Sequence, residues 1–483
     1  MWTDPLTRRE IGLLLFSVIL LSLTYGLRSP GGLLSDADEG AEWSNPAVEL
    51  GLEPIPSVHN LTRRGSHALD ARASRAEPIY HSELQATMDE ALIQWGTDVP
   101  ESKILAQSPG YNVLDNVILY KNKVYIVSDK PDSFPPLKTI VTSTGDARNE
   151  WQIISKAEAA KTLGRHAGIM RGVTWMAADA WSVHNSTLFA LWRTYATLDP
   201  NIGAEGRSVL TRPTRLLFPQ IRVYSDSNPP FQEYWIRRRR ADTGFHPFLL
   251  KAAFPHLSTL YLEAWEDYHK MEVPYFMERV VVADRRAALD AGRSTFGPAL
   301  DLPVSKYWWE PVRRMLAQYL GTYEEKSNKR IITYIQRQHA TTGSRLRPED
   351  HTALLDALSK LGRDVEVHVD SEDDEETNWT RRMSSVTRSE IVLGVHGGQL
   401  MDAVFMKPSA RSALLEFFPA GFSADRQLAM QALGISYHAW QNKKAYTPPP
   451  ATAPPQNTEP NDGMITIDVN AVVATIRQQL ERH

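Results

Sequence analysis

The sequence predicts an α/β protein whose C-terminal half is a doubly wound parallel sheet. Strand-like and helix-like segments alternate from Arg330 to Trp440. The strand-like pieces, such as RIITYIQ (330–336) and IVLGV (391–395), are continuous apolar runs, as expected of parallel strands covered on both faces. The turn His396-Gly397-Gly398 then stands between a strand and a helix, where sheets of this kind take their ligands.

Composition narrows the class. The 483 residues allow two or three domains, and 42% hydrophobic with 23% charged residues is globular. A net charge of −4 offers no basic field for nucleic acid. The chain has no cysteine, which excludes disulfides, thiolate metal sites and a cysteine nucleophile.

Residues 1–10 read as a cytosolic tail carrying Arg8 and Arg9. The uncharged apolar run 11–27 follows, at the short end of the roughly 17–25 residues that span a bilayer. Positive charge before it predicts a single-pass type II signal anchor; a cleaved signal peptide is the rival reading. Residues 28–78 lack a sustained apolar period and read as a flexible stem. Asn60, Asn185 and Asn378 each begin a glycosylation sequon.

Residues 79–303 form the expected N-terminal, acceptor-side domain. Asp115–Ser128 alternates as a hairpin with a Lys-Asn-Lys turn. Trp181–Leu198 has helical period, with His184 and Asn185 in its first turn. Ile221–Tyr224 and Glu278–Ala283 are strand candidates, and Arg237–Arg240 is either a solvated loop, an anion contact or a basic processing site. Trp308-Trp309 opens an amphipathic helix and suits packing between halves better than a sugar platform. Residues 304–445 form the nucleotide-binding domain, with helices over Pro348–Leu361, Glu376–Val386 and Ala424–Leu433 and strands at Val365–Val369, Ala413–Phe418 and Ile435–Trp440. Residues 446–463 are a Pro-rich linker, and 464–483 a strand and helix expected to pack back on the first half.

Arg337 directly follows the first strand of the alternating unit, Arg345 lies in the adjoining loop, and the His396 turn leads into a helix. Arginines beside a helix N-terminus make a diphosphate clamp, with Gly397 and Gly398 permitting close approach. Glu416, near the end of the next strand, could bind ribose hydroxyls. His396 and His184 are the candidate catalytic residues; each also reads as an ordinary turn or capping histidine. The glycine turn follows the third strand of the unit, not the first, and G-x-G-x-x-G and Walker A motifs are absent, which argues against NAD, S-adenosylmethionine and ATP folds. The acidic run Glu372–Glu376 could be read as a metal box of the D-x-D type, but an unbroken acidic run suits a solvated loop entering a helix better.

Four segments resemble one known family. IVLGVHGGQLMDAVFMKPSARSALLEFFP is similar to the C-terminal signature of glycosyltransferase family 61, and RIITYIQRQHATTGSRL to its strand-arginine segment. DNVILYKNKVYIVS resembles its N-terminal hairpin, and WSVHNSTLFALWRTYATL, more weakly, its N-x-x-H helix. The resemblance implies a GT-B fold, two Rossmann-like domains facing a cleft. It implies inverting transfer of a sugar, GlcNAc or xylose, from a UDP-sugar to a glycan or glycoprotein acceptor in the endoplasmic reticulum or Golgi lumen. It implies no cofactor and no essential metal. The chain departs from the family pattern at Gln399, where the family has glycine, at Asp402, where it has asparagine, and in the order of His184 and Asn185. Gln399 keeps open a second reading, a catalytically silent lumenal glycan-binding or assembly protein on the same scaffold.

Overall fold

The computed structural model describes residues 91–142, 150–178, 185–223, 247–323, 328–340, 343–371, 376–419, 424–446 and 463–482. All lie in the second of two units, Pro78–His483. The expected anchor at 11–27, the stem, Asn60, His184, Arg237–Arg240 and the Pro-rich run fall outside the described residues. Among the described residues no helix is long and apolar enough to cross a membrane.

The N-terminal half is a nine-stranded sheet. Its strands are β1 (Leu92–Gln94), β2 (Lys103–Ser108), β3 (Tyr111–Tyr120), β4 (Lys123–Val127), β5 (Trp151–Ile154), β6 (His166–Ala177), β7 (Pro213–Leu217), β8 (Ser258–Leu260) and β9 (Tyr275–Ala283). The expected hairpin is β3–β4. Lys121 and Asn122 both have positive φ, 46° and 60°, the backbone of a two-residue turn that matches strand twist. The sheet is mixed: β3 is antiparallel to β2, β4 and β9, whereas β6 is parallel to β7 and β9. Expected as a strand, Ile221–Tyr224 is not one over its described part. The strand is β7, just upstream, where Pro213 occupies the first position, a site that needs no ladder donor.

The C-terminal half matches the expectation closely. It contains β10 (Arg330–Gln336), β11 (Arg345–Leu346), β12 (Val365–Ser371), β13 (Ile391–Val395), β14 (Ala413–Phe418), β15 (Ser436–Gln441), β16 (Lys444–Tyr446) and β17 (Met464–Ile465). The main sheet runs β12-β10-β13-β14-β15-β16, parallel throughout except for β16 at its edge. Counting its parallel strands in chain order gives 2-1-3-4-5, the flavodoxin-like doubly wound arrangement. Strand order therefore reverses between β10 and β13.

The helices used below are α1 (Asn185–Ala196), α2 (Pro247–Ala253), α3 (Glu310–Tyr319), α4 (Pro348–Ser359), α5 (Glu376–Arg388), α6 (Ala424–Leu433) and α7 (Val469–Leu480). One apolar core joins both halves, running from Val113, Trp175 and Phe189 through Trp308 and Trp309 to Phe405, Leu414 and Met430. The Trp308-Trp309 pair is the wedge. Phe189 lies edge-on to both rings at 4.6 and 4.8 Å, and Trp309 packs on Phe405 at 5.4 Å. Trp309 Nε1 donates to the Val404 carbonyl at 2.8 Å, so the wedge is hydrogen-bonded as well as packed. Trp309→Ala should cost about 3–5 kcal/mol, the usual price of emptying a buried aromatic site. Denaturant unfolding measures this; a loss below about 1 kcal/mol would show that other contacts hold the halves.

The tail differs from expectation. β17 pairs in parallel with β11, and the Ile467 amide donates to Asp350 Oδ2 at 2.9 Å. Ile465, Ile467, Val472, Ile476 and Leu480 are buried with Leu354, Leu358, Ile391 and Leu415. The tail thus completes the C-terminal sheet's own core instead of returning to the first half. Without it the apolar side of α4 and that face of the sheet would stand in water.

Candidate functional site

The site grows from the ends of β10, β13 and β14. Gly394 and Glu416 are register partners on the neighbouring parallel strands β13 and β14, and His396 N donates to the Phe417 carbonyl at 2.8 Å. That bond fixes the first residue of the glycine turn above β14. His396 Nδ1 then lies 2.7 Å from Glu416 Oε1, and the ring rests on Phe418 at 4.8 Å between centroids.

Glu416 is fully buried, and three donors hold it. Tyr437 Oη donates to Oε2 at 2.7 Å; Arg426 Nη1 and His396 Nδ1 reach Oε1. Arg426 comes from α6. Its Nη2 donates to the Gly397 carbonyl at 2.5 Å and its Nη1 approaches His396 Nδ1 at 2.9 Å. With Arg426 and Tyr437 both donating, the carboxylate is the ionised acceptor, and His396 Nδ1 faces both this acceptor and the Arg426 donor. The His396 side chain is 44% exposed, so the ring edge away from Glu416 is the part left to meet a ligand. Burial of its inner side, with Arg426 and then Arg337 nearby, pushes the imidazole down to about 4. Burial also lowers Arg426, to about 10.

Arg337 stands at the end of β10, across the switch point from His396. A Cβ at Gly397 would collide with Arg337 Nη1, and one at Gly343 would lie 2.7 Å from Nη2. Gly397 has an extended backbone, φ −175°, which any residue adopts. A side chain at 397 would therefore displace the Arg337 guanidinium, whereas the backbone conformation makes no demand for glycine. Gly398 is open, with nothing within 4 Å of a built Cβ. It begins a short 3-10 helix, Gly398–Phe405.

The structure thus brings together Arg337, His396, Gly397 and Glu416. Arg345 sits apart on β11, where its amide donates to the Gly463 carbonyl at 2.9 Å; its loop reaches Arg337 through Gly343. Asn185 is the first residue of α1, and Asn378 is half-buried in the first turn of α5 beside the buried Trp379. Among the described residues no group of three histidines, aspartates or glutamates is placed to hold a metal ion.

Both departures from the family pattern in the glycine turn have a local account. Gln399 does not adopt a positive φ, so a side chain there costs no backbone strain. Asp402 is buried and pairs with the equally buried Arg382 of α5 at 3.2 Å. Arg382 Nη1 also donates to the Ser371 carbonyl at 3.3 Å, tying the ends of β12 and α5 to the 3-10 helix.

Sequence reasoning missed Arg426 and Tyr437. A lone arginine early in an amphipathic helix reads as a solvated face, and a tyrosine in an apolar strand reads as core. The available signal was Glu416 itself. A glutamate inside ALLEFF needs buried partners, and α6 and β15 are the next elements in the chain.

No curated protein matches the chain. The family model described as Glycosyltransferase 61 matches residues 249–413. That stretch carries β10, Arg337, Arg345 and the His396 turn, and stops at the first residue of β14, before Glu416, Arg426 and Tyr437. The match supports the chain's membership of glycosyltransferase family 61.

Proposed function

We propose that the chain is an inverting glycosyltransferase that moves a sugar, GlcNAc or xylose, from a UDP-sugar to a glycan or glycoprotein acceptor. One observation carries the reading: Arg337 and His396 flank the point where strand order reverses in a 2-1-3-4-5 sheet, the place where such folds bind their ligands. In this reading the diphosphate lies along Arg337 and the open amide end at Gly398. Charge that develops on the departing diphosphate is met there by fixed cations and backbone donors, with no essential metal.

Glu416 changes role. Its oxygens are taken up inside the protein, so it orients His396 and leaves ribose recognition to other groups. The His396 Nε2 edge is the base, or the acceptor of the reacting hydroxyl's proton. An imidazole near 4 is a weak base, but a bound diphosphate would offset the field of Arg337, the smallest of the three causes, and so raise it. In this reading the two sheets are the halves of a GT-B cleft, and the apolar run 11–27 supports a single-pass type II protein whose catalytic region lies in the lumen of the endoplasmic reticulum or Golgi.

Calorimetry with UDP, paired with hydrolysis of UDP-GlcNAc and UDP-xylose with and without EDTA, tests this. Arg337→Ala should weaken UDP by about 1.5–3 kcal/mol, the worth of a charge-assisted contact, or roughly 10- to 150-fold. If the wild-type protein does not bind UDP, the reading fails; if the variant binds it unchanged, the clamp is misplaced.

A further inference from the structure

A cavity of about 430 Å³ lies in the N-terminal half, lined by the 205–213 loop, the residues after α2 and one side of α3. None of its lining residues belongs to the His396 site. Its volume falls within the roughly 300–1,000 Å³ of small-ligand sites. The walls are of two kinds. Trp192, Phe254 and Val312 give a buried apolar floor. Arg207, Arg212, Arg314, His256 and Gln318 supply donors around it, against a single acidic group, Glu205.

The charges do not cancel. Arg207 pairs with Glu205 at 3.1 Å. Arg314 donates to the Glu205 backbone carbonyl and lies over the Tyr323 ring at 4.7 Å, which fixes its guanidinium in place. Among the described residues neither Arg212 nor Arg314 pairs with a carboxylate. An aromatic floor under an uncompensated pair of guanidinium groups suits a ligand with an apolar ring face and a negative substituent. Apolar C–H faces stack on aromatic rings, while planar guanidinium groups take a carboxylate with paired donors.

We infer that this cavity is a second carbohydrate subsite, selective for a sugar that carries a carboxylate. The assignment of a sugar, as opposed to another ringed anion, rests on the glycosyltransferase reading above. The site is separate from the UDP site, so an acidic acceptor sugar or branch can be held while the donor is bound.

The test is calorimetric titration of the full chain at low salt with D-glucuronate, D-glucose and inorganic sulfate, with UDP titrated into the same samples. Glucuronate should bind saturably, at least about tenfold tighter than glucose or sulfate, because only it offers both the ring and a bidentate anion. Arg212→Gln, at an exposed position, should weaken glucuronate about tenfold or more and leave UDP unchanged. Met315→Trp, which fills the cavity, should abolish glucuronate binding and also spare UDP. Absence of saturable glucuronate binding would overturn the inference, as would equal binding of glucose or sulfate, or indifference to both variants. UDP binding in those same samples reports independently on the donor-site reading.

Discussion

Replacing His396 by alanine is expected to lower turnover by about 100- to 10,000-fold, the range of a lost general acid–base group. UDP affinity should change little, because Arg337 and the Gly398 end remain. The pH dependence carries the sharper information. A base works only when unprotonated, and the free-protein imidazole is held near 4 by burial and by Arg426 and Arg337. The acid limb of kcat/KM for the donor should therefore lie near that value and not near the ordinary histidine range. Bound diphosphate offsets one of the cations, so the acid limb of kcat should lie at higher pH. Unaltered turnover in His396→Ala would reduce the residue to a turn histidine. Coincident limbs near 6.5 would show that neither burial nor the cations act on it.

Arg426→Met should destabilise the fold by about 3–5 kcal/mol, because it strands a fully buried carboxylate. Methionine keeps much of the volume, so the loss measures charge more than packing. Glu416→Gln added to Arg426→Met should recover part of it, since neither partner then carries charge. Denaturant unfolding of the wild type, both single variants and the double variant gives the coupling directly. A loss under about 1 kcal/mol in Arg426→Met would mean the carboxylate has other support. Turnover of the single variant at neutral pH should also fall, since Glu416 would no longer be held against His396.

The C-terminal sheet was legible because parallel strands buried on both faces leave apolar runs, and the turns between them carry glycine or charge. β10, β13 and β14 fall where RIITYIQ, IVLGV and ALLEFF place them. The N-terminal sheet was less so. β9 pairs with β3 and with β6, partners far apart in the chain, and nothing local in Tyr275–Ala283 records which neighbour is antiparallel. The tail helix shows the same limit from another side. Its apolar face announces that it must be buried, but not against what. At the site, Arg337 and His396 were legible from position alone. The burial of Glu416 by Arg426 and Tyr437 depends on three elements meeting, which no single window contains.

The seating of residues 463–480 has a consequence for synthesis. Their side chains finish the core beneath β10, β13 and β14, and β17 pairs with the loop that touches Arg337. During translation the alternating strands up to β16 leave the ribosome first with one apolar face uncovered. The C-terminal half can close only after the Pro-rich run and α7 have emerged. A chain truncated after 446 would therefore expose that apolar face while already carrying every residue of the His396 turn.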